Sequence, residues 1–186
     1  RVQFTLFDRI NGPHRPAAQQ KFRFARHLDS LGVPSPAVLA VVIRGRLLAA
    51  GDLSRPAGWP WLRQRLEERP HGVVLKPIKG CEGTGVTFLR RDGSGFLLDG
   101  RALGEEETAA SLSRLDDYMV TEFAVQHEYA ARIYPRTTNT LRLLTLWDYE
   151  AEAPFLAQAV HRIGTSRSFP VDNFKMGAGR LSAWIA

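Results

Sequence analysis

The stretch "KPIKGCEGTGV" sets Lys76 at the end of an apolar run and Lys79 three residues later, with Gly80, Gly83 and Gly85 closely spaced after it. Glycines at this density allow positive φ angles, so that successive backbone N–H groups can face outward. A concave run of such groups suits a polyphosphate. Two cationic side chains at its edge would add the charge that phosphate needs. The alternative is a tight hairpin turn with an exposed lysine. The loop lacks the terminal Gly-Lys-Ser/Thr of a Walker loop. A strand follows it rather than the helix of a dinucleotide fingerprint, and Lys76 precedes the glycines, whereas protein kinases have the reverse order.

Other residues could act on the same kind of ligand. Arg142 lies mid-strand in "TNTLRLLTL". Alternation puts Thr140, Arg142, Leu144 and Leu146 on one face, and the expectation is a polar-to-apolar cleft rather than a fully wet face. Arg162, in "VHRIG", is a second candidate on the paired strand. Asp172 and Asn173 in "SFPVDNFKMGAG" either ligate magnesium or form an Asx turn. "YMVTEFAVQHEYA" reads either as an extended hinge that binds adenine through backbone groups or as an ordinary core strand. His127, Glu128 and His161 have no recognised zinc spacing.

The elements that must position these groups are legible in outline. "PAAQQKFRFARHLDSLG" predicts a helix in which Phe22, Ala25, Leu28 and Leu31 recur every three residues, stopped by Gly32 and Pro34. "VLAVVIRGRLLAA" predicts a hairpin and "WPWLRQRLEERP" a helix between Pro60 and Pro70. "GVVLKPI" predicts a strand, and "GVTFLRRDGSGFLLDG" two strands joined at "DGSG". "GEEETAASLSRLDD" predicts a helix with acids in its first turn. "YMVTEFAVQ" follows as a strand, and the segment from Asn139 to Gly164 as two long strands joined by an acidic turn. Hairpins outnumber βαβ units, so the class is α+β and not a Rossmann sheet.

The bulk numbers bound the rest. The chain has 186 residues, 44% of them hydrophobic, and a net charge of +6. That allows a real core and favours an anionic partner, although most of the arginines suit a solvated surface equally well. No long Lys/Arg block points to nucleic acid; a basic nucleic-acid binder would show a steep salt slope. Cys81 is the only cysteine, which rules out an internal disulfide and fits a reducing, cytoplasmic setting. No signal peptide and no membrane-spanning run is evident. The chain begins with arginine and ends in "LSAWIA", and both ends read as cut.

Together, "VVLKPIKGCEGTGV", "YMVTEFAVQHE", "TNTLRLLTLWD" and "AVHRIGTSRSFPVDNFKMGAG" resemble the ATP-grasp superfamily. The similarity is greatest to its sugar-transfer-associated branch and to α-L-glutamate ligase-like proteins. It runs from about Phe22 onward. "KFRFARHLDSLGVPSP" is similar to the helix that precedes the grasp in that superfamily.

The resemblance implies two α+β lobes that grip ATP with Mg2+. Residues 1–70 would lead into the grasp, 71–125 would form the small lobe and 126–186 would begin the large one. Lys76 would contact the α/β-phosphates, and the loop with Lys79, Gly80, Gly83, Thr84 and Gly85 would cover the β/γ-phosphates. Glu122, Phe123 and Ala124 would form the adenine hinge, and Glu128 would reach the ribose. Arg142 and Arg162 would serve catalysis, with Asp172 and Asn173 near the metal. The implied reaction is ligation of a carboxylate to an amine through an acyl-phosphate, and the name of the branch points to cell-surface glycan or peptide synthesis. Phosphorylation of a hydroxyl on the same fold and a non-catalytic nucleotide-binding module are the alternatives. Two departures stand out: no late acidic magnesium ligands follow Gly179, and Ala178 replaces one of two adjacent glycines.

Overall fold

The computed structural model describes residues 19–80, 83–172 and 179–183. The chain divides into two compact units, Arg1–Phe123 and Ala124–Ala186. Both are α+β, with antiparallel sheets.

In the first unit, helix α1 (Lys21–Ser30) ends where the sequence places its stop. Gly32 at φ +66° lets its N–H reach Asp29 O and the Val33 N–H reach Leu28 O. These two bonds satisfy carbonyls the helix leaves unpaired. Strands β1 (Val38–Ile43) and β2 (Arg46–Ala49) form the expected hairpin. It turns on Arg44 and Gly45, both at positive φ, as the twist of a two-residue turn requires. Strand β3 (Asp52–Pro56), helix α2 (Gly58–Glu67) and strand β4 (Val73–Pro77) follow. After the glycine loop come β5 (Thr87–Asp92), β6 (Gly95–Leu98) and β7 (Arg101–Leu103). Helix α3 (Glu105–Ser113) and strand β8 (Tyr118–Glu122) complete the unit. Glu107 closes the start of α3 by accepting from the Gly104 N–H at 3.0 Å.

These strands make one sheet in the order β3-β2-β1-β8-β4-β5-β6-β7. Residues 1–70 and 71–125, read separately from the sequence, thus contribute to a single sheet. Strand β8 pairs with both β1 and β4, so the last strand of the unit is central. One face carries Ala40, Val42, Val73, Leu75, Leu89 and Val120, all at 4% exposure or less, packed with Leu62 and Leu66 of α2. Burying a residue such as Leu62 or Leu75 stabilises the fold by roughly 1.5–3 kcal/mol, so this face is the main core. The opposite face carries Val41, Ile78 and Met119 under Phe22 and Ala25 of α1.

The turn between α2 and β4 needs a glycine. Gly72 has φ +78°, and a Cβ there would lie 2.2 Å from Leu89 O. Gly72→Ala is expected to destabilise the chain by at least about 2 kcal/mol, read as a lowered urea midpoint. An unchanged midpoint would contradict the packing described.

The second unit holds helix α4 (Glu128–Ile133) and strands β9 (Thr140–Asp148), β10 (Ala153–Ile163) and β11 (Gly179–Ala183), in the order β11-β10-β9. Asn139 ties it together. Its Nδ2 donates to Ala130 O at 2.7 Å and Tyr134 O at 3.0 Å, and its Oδ1 accepts from Gly164 N at 2.9 Å. A buried amide with all these bonds made fixes α4 against the ends of both long strands.

Candidate functional site

Residues directly opposite one another in a sheet point to the same face. Lys76 lies opposite Met119, and Val74 lies opposite both Thr121 and Phe88. Lys76, Val74, Phe88, Met119 and Thr121 therefore share the face that α1 covers, away from the main core. Two residues of strand, roughly 7 Å, separate Lys76 from the Val74 row. The face has a cationic end and an aromatic end.

At the cationic end, Lys76 is half-buried, and no carboxylate among the described residues pairs with it. Burial first, and then the positive charge of Lys21, hold its ammonium below the usual lysine range. Lys21 opens α1, its N–H bonds Ile78 O at 3.0 Å, and its Nζ donates to Gly80 O at 2.6 Å. Two lysines thus converge on the start of the glycine loop, and Lys21 is a residue the sequence reading did not single out. Lys79 is exposed and reaches Asp117 at 3.6 Å. Gly80, Gly83 and Gly85 all have positive φ, at 102°, 79° and 73°. A Cβ on Gly85 would lie 2.8 Å from the Tyr118 hydroxyl, so that position also lacks room for a side chain. Thr84 is exposed. Cys81 and Glu82 lie outside the described residues.

A buried cation facing another cation carries a stability cost that an arriving anion removes. The sign follows from the shift. Below its depressed pKa, Lys76 is charged in the folded and unfolded chain alike, and the cost is fully present. As pH rises from that value toward the ordinary 10.5, the unfolded chain holds more protons and stability increases. Lys76→Met should therefore be more stable than wild type at neutral pH, by a margin that shrinks as the pH is raised. Urea unfolding at a series of pH values reads this, and a margin that grows with pH would refute it.

At the aromatic end, Phe123 packs edge-on to Phe88 with centroids 5.7 Å apart, and stacks on His71 at 6.1 Å and 24°. Thr121 is 1% exposed, and its hydroxyl has no hydrogen-bond partner among the described residues. Strand β8 stops at Glu122, so Phe123 and Ala124 follow as irregular chain. The Glu122 side chain lies opposite Val73, hence on the main-core side, where it pairs with Arg69 at 3.1 Å. Its backbone N–H is taken by Ala37 O at 3.0 Å.

The remaining candidates belong to the second unit. The Ala124 carbonyl accepts from the Thr138 hydroxyl at 3.2 Å. Glu128 opens α4 and pairs with Arg132 at 2.6 Å, both widely exposed. Arg142 lies opposite Val160, and Arg162 opposite Thr140, so both arginines share one face as diagonal neighbours. They differ in state. Arg162 pairs with Asp172 at 2.8 Å and also donates to its backbone carbonyl at 3.0 Å. The other Asp172 carboxylate oxygen accepts from the Thr140 N–H at 3.0 Å and from the Thr140 hydroxyl.

Arg142 is exposed and has no partner among the described residues. The expectation of a cleft around it is corrected: β9 is open along both faces, with Leu141 60% and Leu144 49% exposed. Alternation assigns side chains to faces but does not say that either face is covered. Asn173 and Ala178 lie outside the described residues.

No group of three or more His, Cys, Asp or Glu among the described residues could hold a metal ion. A cleft of about 590 Å3 lies in the first unit between α1 and the ends of β1 and β2, lined by Phe22, Arg26, Asp29, Val33 and Val38 among others. It includes none of the lysines. No protein-family model matches the chain, and no curated protein sequence matches it.

Proposed function

We propose that the first unit binds the phosphates of ATP with Lys76 and Lys21, and holds the base toward Phe88, Phe123 and the strand end at Glu122. The observation that carries this reading is the half-buried Lys76, which no carboxylate among the described residues pairs and whose ammonium faces the positive charge of Lys21, the residue that bonds Gly80 O at the foot of the glycine loop. Charge of this kind, held in a partly desolvated place, is what a polyphosphate neutralises.

On the resemblance to ATP-grasp ligases, the reaction is activation of a carboxylate. A carboxylate oxygen attacks the γ-phosphorus and ADP leaves. An amine then attacks the acyl carbon, inorganic phosphate leaves, and the amine gives up a proton. Mg2+ would offset phosphate charge, and Arg142, exposed and without a partner among the described residues, is a cation of the second unit that suits an acyl-phosphate. Titration with Mg-ATP and, separately, with inorganic triphosphate tests the binding step; absence of binding by both overturns it. Turnover that yields ADP, phosphate and an amide supports ligation, whereas a phosphorylated product supports phosphoryl transfer instead.

A second reading, nucleotide binding without chemistry, is favoured by Asp172. Both of its carboxylate oxygens are already bonded, to Arg162 and to Thr140, so a metal there would compete with the Arg162 guanidinium for the same carboxylate charge. Binding of Mg-ATP without turnover against any carboxylate and amine panel would support it.

A further inference from the structure

The turn from α2 into β4 grips the end of the first unit twice. Arg69 is mostly buried, its side chain 22% exposed. Its Nη2 donates to Glu122 at 3.1 Å, and its Nη1 donates to Glu68 and to Arg65 O, each at 3.2 Å. Its Nε is buried and has no partner among the described residues. Two residues on, His71 stacks on Phe123. The turn itself is closed by the Gly72 N–H on Arg69 O at 2.8 Å, and Gly72 has no room for a side chain. Glu122 and Phe123 are consecutive, and they are the last two residues of the unit.

We infer that the turn Arg69–Gly72 is a positioning clamp for the hinge, with Arg69 acting through Glu122 and His71 through Phe123. The inference rests on the proposed nucleotide reading and adds to it the residues that set base affinity. Neither Arg69 nor His71 is placed against the phosphates. Chain that leaves a strand end without such a grip samples many backbone orientations, and ordering it on binding lowers affinity. An arginine fork shared between two carboxylates and the Arg65 carbonyl, together with an aromatic stack, removes that freedom beforehand.

The experiment titrates Mg-ATP and inorganic triphosphate separately into wild type, Arg69→Met, Arg69→Lys, Glu122→Gln and His71→Ala, with the melting temperature of each. The expected result is a rise of about tenfold in the Kd for ATP in Arg69→Met and His71→Ala, with triphosphate affinity unchanged. Arg69→Lys should recover part of the loss, because one ammonium can hold Glu122 without the fork. Glu122→Gln and His71→Ala change exposed side chains and keep the test open if Arg69→Met does not fold. Equal losses of ATP and triphosphate affinity, or no loss of either, overturn the clamp. A wild-type chain that binds neither ligand overturns the nucleotide reading, and the clamp with it.

Discussion

Lys76→Ala is expected to raise the Kd for Mg-ATP about 30-fold or more, since a charge-assisted phosphate contact contributes about 2 kcal/mol. The reason lies in what surrounds the ammonium. Burial and the neighbouring Lys21 both work against its charge. A phosphate arriving at the foot of the loop would reverse that balance. The same substitution removes a half-buried cation that no carboxylate among the described residues pairs, so the variant should bind worse and unfold at higher urea. That opposition separates a binding role from a structural one. A lysine that merely packed its stem would lose stability and leave affinity alone. Isothermal titration and urea unfolding of the two proteins measure both quantities. Equal ATP affinity in wild type and variant would remove Lys76 from the site. Lys76→Arg should not restore full affinity, because the planar guanidinium needs more room than this half-buried position gives.

Asp172→Ala should destabilise the second unit by about 3–5 kcal/mol, the usual effect of leaving one member of a buried ion pair alone. The two side chains are 9% and 20% exposed. Removing the carboxylate strands the Arg162 guanidinium and takes the acceptor away from the Thr140 N–H and hydroxyl. The double variant Asp172→Ala with Arg162→Met should recover much of the loss, since no buried charge is then left unpaired. Hydrogen exchange across β9 and β10 localises the effect to this unit. Exchange and unfolding like those of wild type would show that the pair contributes nothing. If Asp172 instead served a metal, Mg2+ would stabilise wild type but not the variant.

How much of this was legible beforehand depends on the range of the forces involved. The β1–β2 hairpin was readable because Arg44-Gly45 between apolar runs is a local turn signal. The end of α1 was readable because Gly32 completes it within two residues. The positive φ angles of Gly80, Gly83 and Gly85 were readable for the same reason. Short strands β3 and β7 were not foreseen. They carry too few residues for a period-2 pattern, and they exist because a neighbouring strand offers them a pairing edge. Helix α4 was hidden inside a stretch that read as extended hinge. Its six residues are fixed by Asn139, which bonds to Ala130 and Tyr134 from outside the helix.

The candidate site divides along the same line. Sequence alone determined the α+β class, the strand-borne Lys76, the glycine loop after it and the arginines on the paired strands β9 and β10. Each follows from turn chemistry or from the two-residue period of a strand. Only the tertiary structure decided that Lys21, 59 residues from Gly80, meets the loop. It also decided that Phe88 shares a face with Lys76, that Arg162 is held by Asp172 while Arg142 has no partner among the described residues, and that Glu122 points toward Arg69. Those outcomes depend on which strands become neighbours and in what register. Strand β8 enters between β1 and β4, a pairing set by burial of the whole sheet rather than by any local stretch of residues.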